Sequence, residues 1–190
     1  MPRRHAVHSD VTSVALSWSG GKDSALALQA LRDDPRVDVA CLVTSVTREY
    51  DRVSVHGVRR ELLHEQALRT GLPLIEIMLG AECTNEDYES AFLGALDEVK
   101  HRHPEVSAVA FGDLFLEDVR AYRERLDSSF AGRSYDGSLL SDLPAEVDPC
   151  GERGEFHTFV SDGPIFSSPV PYCIGASVLR DDRFMFCDLE

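Results

Sequence analysis

Short apolar runs alternate with amphipathic helical patterns four times in the first two thirds of the chain, and this rhythm restricts the fold more than any other feature. "SVALSW" (Ser13–Trp18), "VDVACLVTS" (Val37–Ser45), "LPLIEIML" (Leu72–Leu79) and "SAVAFGD" (Ser107–Asp113) read as strands. "DSALALQALR" (Asp23–Arg32), stopped by Asp33-Asp34-Pro35, reads as a helix, as does "VRRELLHEQALRT" (Val58–Thr70), which ends at Gly71. A third helix begins at the capping sequence "TNED" after Cys83 and places Tyr88, Phe92, Leu96 and Val99 on one face; a fourth spans Leu114–Leu126. "TREYDRVSVHG" (Thr47–Gly57) reads as a polar loop. Strands that alternate with helices pair in parallel and are covered on both faces, with right-handed crossovers. The expected fold is therefore α/β, a doubly wound parallel-sheet sandwich over residues 1–126.

The rhythm breaks after Leu126. Residues 127–190 hold one short helical pattern near Tyr135–Leu143, a strand-like alternation in "EFHTFVSD", and two strands in "IGASVLRDDRFMFCDLE" joined at Asp181-Asp182. This is a small C-terminal α+β segment, too short to be stable unless it packs on the sandwich. The apolar runs are far too short to span a membrane, and "MPRRHAVHSDVTS" has no apolar stretch behind its arginines. A cytoplasmic protein with no membrane partner is expected.

A formal net charge of −14 argues against an extensive nucleic-acid surface and means that a bound nucleotide needs local donors and a metal ion. None of the five cysteines has zinc spacing, so reduced thiols are expected. His101 and His103 precede Pro104 at a helix end and read as solvated rather than as a metal site.

The first strand–helix junction carries the chemistry: "SWSGGKDSALAL", Ser17–Leu28. Ligands of open α/β sheets bind beyond the carboxyl ends of the strands, and a helix start offers unpaired N–H groups and partial positive charge. Gly20 and Gly21 let a phosphate reach the backbone, Ser19 and Ser24 add hydroxyl donors, and Lys22 adds a point charge. Asp23 suits either a metal ion or a helix cap. A Walker loop is ruled out twice, by Asp23 after Gly21-Lys22 and by Leu16 at the first glycine position. A dinucleotide fingerprint is ruled out by the missing third glycine. Five specified positions at typical residue frequencies arise by chance in a chain this long only about once in several thousand.

Ser19-Gly20-Gly21-Lys22-Asp23-Ser24 resembles the S-G-G-x-D-S signature of the PP-loop ATP pyrophosphatases, whose HUP-like sandwich agrees with the rhythm above. Three further stretches, "SVHGVRRELLHEQALRTGLPL" (Ser54–Leu74), "FGDLFLEDVRAYRERL" (Phe111–Leu126) and "DPCGERGEFHTFVSDGPIF" (Asp148–Phe166), are similar to the diphthine–ammonia ligase (diphthamide synthase) branch of that superfamily. Members of that family carry a few dozen more residues, including a "PLW" element, where Leu126 here runs directly into Asp127. The resemblance implies an ATP-dependent amide ligase. A carboxylate, that of diphthine on elongation factor 2 or a related acceptor, is adenylated with loss of pyrophosphate, and ammonia or ammonium then displaces AMP. Bacterial relatives lack diphthamide, so their acceptor is open. Two alternatives are a non-catalytic ATP-binding regulatory protein and a PP-loop RNA-modifying enzyme; the second lacks support, because there is neither a catalytic cysteine pair nor a basic face. Homo-oligomerisation is left open.

Carried onto this sequence, the resemblance implies ATP and Mg²⁺ as cofactors. Ser19, Gly20, Gly21, Lys22, Asp23, Ser24, Thr44 and His56 are expected to hold the nucleotide, and Asp23 the metal. Gly112, Asp113, Arg120, Arg123, Glu152, Glu155 and Thr158 are expected at the acceptor, where arginine can take a carboxylate bidentately. Lys22, Asp23, Glu155 and His157 are the expected catalytic groups. An acid–base pair beside ammonia would accept the proton that it loses on attack. Strand alternation would put Glu155, His157 and Phe159 on one face and Phe156, Thr158 and Val160 on the other.

Overall fold

The computed structural model describes residues 11–54, 56–112, 130–151, 155–180 and 184–190. Its centre is a sheet of four parallel strands, β1 (Thr12–Ser17), β2 (Val37–Thr47), β4 (Leu74–Leu79) and β5 (Val106–Ala110), in the order β4-β2-β1-β5. A two-residue strand, β3 (Arg52–Val53), pairs antiparallel with Val46 and Thr47. It continues the sheet past the end of β1, so the stretch Thr47–Gly57 is not wholly loop, and β2 runs two residues further than its sequence pattern predicts. Helices α1 (Lys22–Asp33), α2 (Arg60–Thr70) and α3 (Asn85–Arg102) form the crossovers.

The two sheet faces have separate cores. Val14 and Leu16, with Trp18 just past the strand end, alternate with Ala15 along β1, as a strand buried on both faces requires. The first set meets Leu28 of α1 and Leu63 and Ala67 of α2; the second lies with Cys41, Val43, Ile75 and Ile77 against Ala95 and Val99 of α3. A bulge in β2 shifts its register between Val14↔Val39 and Ala15↔Cys41, which puts Val39 and Leu42 on the same face. The sandwich covered on both faces is thus the fold expected from the sequence.

Helix ends follow local chemistry. Gly71, at φ 73°, closes α2, and a reciprocal capping box between Thr84 and Asp87 opens α3. Tyr88 departs from expectation: it is 44% exposed, stacks on Phe92 at 6.0 Å, and leaves burial to Ala95 and Val99. His101 lies in the last turn of α3 and His103 caps it.

In the C-terminal part, a short helix α4 (Gly137–Asp142) is capped by Asp136, and β6 (Ile174–Arg180) pairs antiparallel with β7 (Phe184–Leu189). "EFHTFVSD" is not a strand. It forms an irregular segment whose backbone bonds to the first loop rather than to a sheet, so the expected alternation fails: Glu155 is buried and His157 exposed. Beyond it, Ile165, Phe166 and Val170 are buried in the same cluster as Leu28 and Leu63. Arg32 fixes this stretch by donating to the carbonyls of Ile165 and Thr70. The fourth expected helix, the 126/127 boundary and the Asp181-Asp182 turn lie outside the described residues.

Candidate active site

The stretch Trp18–Ser24 leaves the carboxyl end of β1 and turns into α1. Gly20 has φ +80°, and a Cβ there would lie 2.5 Å from Gln66 Oε1 and 3.1 Å from Leu63 Cδ1, so both conformation and space demand glycine. Gly21 is the N-cap of α1 and has no side chain to cap with. Its N–H points at Ser19 Oγ (3.4 Å), and Ser24 Oγ donates to the Gly21 carbonyl (3.0 Å) while lying 3.2 Å from Ser19 Oγ. The two hydroxyls therefore brace the turn. Lys22 Nζ pairs with the carboxylate of Asp23, which is 42% exposed.

The tail segment lies across this loop. The backbone N–H of Lys22 donates to Thr158 Oγ1 (2.9 Å), and the N–H of Val160 donates to the Gly20 carbonyl (3.0 Å). Gln66, fully buried on α2, donates to the carbonyls of Gly20 (3.0 Å) and Val160 (2.7 Å) and accepts from Trp18 Nε1 (3.1 Å). Sequence reasoning missed Gln66. The available signal was a polar residue inside an otherwise apolar helix face, beside Leu62, Leu63 and Ala67.

An open cleft of about 1180 Å³ begins at Lys22 and extends under the C-terminal part. His56, Glu155, His157 and Thr158 line it, with aromatic walls from Phe130, Tyr135, Phe156 and Tyr172. This exceeds the roughly 300–1,000 Å³ of ordinary ligand pockets. The rings of His56 and His157 meet with centroids 4.1 Å apart, so two residues from separate sequence motifs form one contact pair. Glu155 is 6% exposed, and its carboxylate accepts from the backbone N–H of Asp148 (3.0 Å), which fixes the turn before it. Tyr135 donates its hydroxyl to the Pro149 carbonyl, and burial pushes its pKa above the usual phenol value.

Ser19, Gly20, Gly21, Lys22, Asp23 and Ser24 thus gather at the start of α1, with Thr158 beside them, and His56, Glu155 and His157 sit together in the cleft. Gly112 joins the loop: a Cβ there would lie 2.8 Å from the Asp23 carbonyl oxygen, so it packs on the first turn of α1. Thr44 stands apart from the cleft lining. It is 4% exposed in β2, and its Oγ1 is a buried hydroxyl without a hydrogen-bond partner. Asp113, Arg120, Arg123 and Glu152 lie outside the described residues.

A parallel α/β sheet with a glycine loop at its central strand, braced by hydroxyls and carrying a lysine–aspartate pair, defines a PP-loop type of ATP-utilising protein. The family model of the diphthamide synthase N-terminal domain matches residues 12–130, and that of the diphthamide synthase C-terminal domain matches residues 104–171. The chain belongs to the diphthamide synthase family, and the match covers both the phosphate loop and the segment that crosses it. No curated protein matches it. Among the described residues no helix is long and apolar enough to cross a membrane.

Proposed function

We propose that this protein is an ATP-dependent amide ligase that activates an acceptor carboxylate as an acyl adenylate and releases it to ammonia. The observation that carries this reading is the contact between Thr158 and the first turn of α1, which joins the phosphate loop to the segment bearing Glu155 and His157. The Ser19 hydroxyl and the Lys22 ammonium, at the start of α1, would hold the pyrophosphate end of ATP, while the Gly21 and Lys22 N–H groups and the Ser24 hydroxyl keep the loop in shape. Donors at that end favour charge that develops on a pyrophosphate leaving group.

In the first step an acceptor carboxylate oxygen attacks the α-phosphorus, the bond between the α-phosphorus and the bridging oxygen breaks, and pyrophosphate leaves with its electron pair. In the second, the nitrogen of ammonia attacks the acyl carbon, the C–N bond forms, and the C–O bond to AMP breaks. The proton lost by nitrogen goes to a base. His157 suits that role, because it is exposed in the cleft and touches His56, whereas Glu155 is buried and engaged with the Asp148 amide. Glu155 then acts by shaping the turn. The half-exposed oxygen donors of Asp23 fit Mg²⁺, which binds through one or two carboxylates plus substrate phosphates and would neutralise charge on the leaving pyrophosphate. The acceptor is a carboxylate, either diphthine on elongation factor 2 or a related one, and the site of action is the cytoplasm.

Exchange of labelled pyrophosphate into ATP tests the first step without ammonia. The expected result is exchange that depends on both Mg²⁺ and an added carboxylate acceptor, assayed with diphthine-bearing elongation factor 2 and a panel of small carboxylates. Tight ATP binding with no exchange under any acceptor would instead support a regulatory ATP-binding protein.

A further inference from the structure

Gln66 spends a fully buried polar side chain in the middle of an apolar helix face, where leucine would satisfy burial alone. Burying an amide costs free energy unless its hydrogen bonds are remade, so the position calls for a reason in its partners. Those partners belong to three separate parts of the chain: the Trp18 indole at the end of β1, the Gly20 carbonyl of the phosphate loop and the Val160 carbonyl of the tail segment. The Gly20 carbonyl accepts a second bond from Val160 N–H, and two residues earlier Thr158 Oγ1 accepts from Lys22 N–H. Loop and segment therefore run side by side, and Gln66 bridges both from the protein interior.

We infer that Gln66 is a positioning residue that locks the phosphate loop and the Glu155–Val160 segment in one register, so that the nucleotide half and the acceptor half of the site open and close as a unit. The assignment of the two halves rests on the proposed ligase reading; the register lock does not. An amide suits the task because it offers two donors to two carbonyls and an acceptor to an indole N–H at once. A carboxylate would face both carbonyl oxygens with no donor, and an alkyl group would strand the Val160 carbonyl and the Trp18 N–H.

Amide hydrogen exchange of the full chain, read by mass spectrometry, tests the lock. In Gln66→Leu, peptides containing Lys22 and Val160 should exchange together roughly tenfold faster, while those of β4 keep their protection. Gln66→Asn, which keeps the amide but shortens its reach, should move the same two regions less, and it serves as the probe if the leucine variant does not fold. Acceleration in only one of the two regions, in neither, or equally throughout β4 overturns the inference. Turnover gives a second arm: the loss caused by Thr158→Val should shrink roughly fivefold in the Gln66→Leu background, since the segment is already uncoupled there. Additive losses would contradict the lock. Wild-type protein that forms no AMP would refute the ligase reading alone, because the exchange arm still decides the register.

Discussion

At Gly20, a positive φ and the Gln66 amide, whose Oε1 lies 2.5 Å from where a Cβ would be, disfavour any other residue. Gly20→Ala should therefore destabilise the protein by about 1–3 kcal/mol, in the range of a strained backbone position. Urea unfolding followed by the single tryptophan is suited to the measurement, since Trp18 is buried two residues away; an unchanged midpoint would contradict the geometry. The glycines, hydroxyls, lysine and aspartate of this loop were legible in the sequence because common residue types rarely fall together at this fixed spacing between a strand and a helix. Gln66 was not, because its place on the apolar face beside Leu62, Leu63 and Ala67 marks it as unusual without showing what it bonds. Only the fold shows which carbonyls surround it. The alternation assigned to Glu155 and Thr158 was wrong, because the segment bonds to the phosphate loop instead of to a strand.

Elements beyond the loop are fastened by charge. Asp188 on β7 accepts from Arg59 at 3.1 and 2.7 Å and pairs with Arg52 at 2.8 Å, which ties the C-terminal hairpin to β3 and the entry of α2. Hydrogen bonds from Arg59, then from Arg52, hold the Asp188 carboxyl well below the usual carboxylate range. A carboxyl with a depressed folded value contributes stability that is present above its unfolded value and lost as pH falls through the folded one. Asp188→Asn should accordingly lower the urea midpoint at pH 7, and the gap from wild type should narrow from about pH 4 downward. A gap that stays constant with pH would show that the pairing is not what fastens the hairpin. The two strands were readable from sequence as alternating runs around an acidic turn, but their anchoring was not, because Arg52 and Arg59 lie about 130 residues away in the chain.

Across the whole molecule, the tail is part of the core rather than an appendage. Ile165, Phe166 and Val170 share a buried cluster with residues of β1, α1 and α2, and the stretch leading to them crosses the phosphate loop. Phe166→Ala should cost about 3 kcal/mol of unfolding free energy, measured by denaturant titration, whereas a loss well under 1 kcal/mol would mean that the tail is loosely attached. The sandwich was legible because strand and helix periods repeat over four rounds. That the tail must dock was legible from its length, but where it docks was not, since a short irregular stretch has no period and its partners are set by the finished surface. Docking also puts the two sequence motifs that carry chemistry on one cleft, and the ligase reading depends on that juxtaposition. Its most direct test is the identity of the nucleotide product when the protein is incubated with ATP, Mg²⁺, ammonium and a carboxylate acceptor. The account predicts AMP and pyrophosphate in equal amounts, with both lost in Asp23→Ala; formation of ADP and phosphate would contradict it.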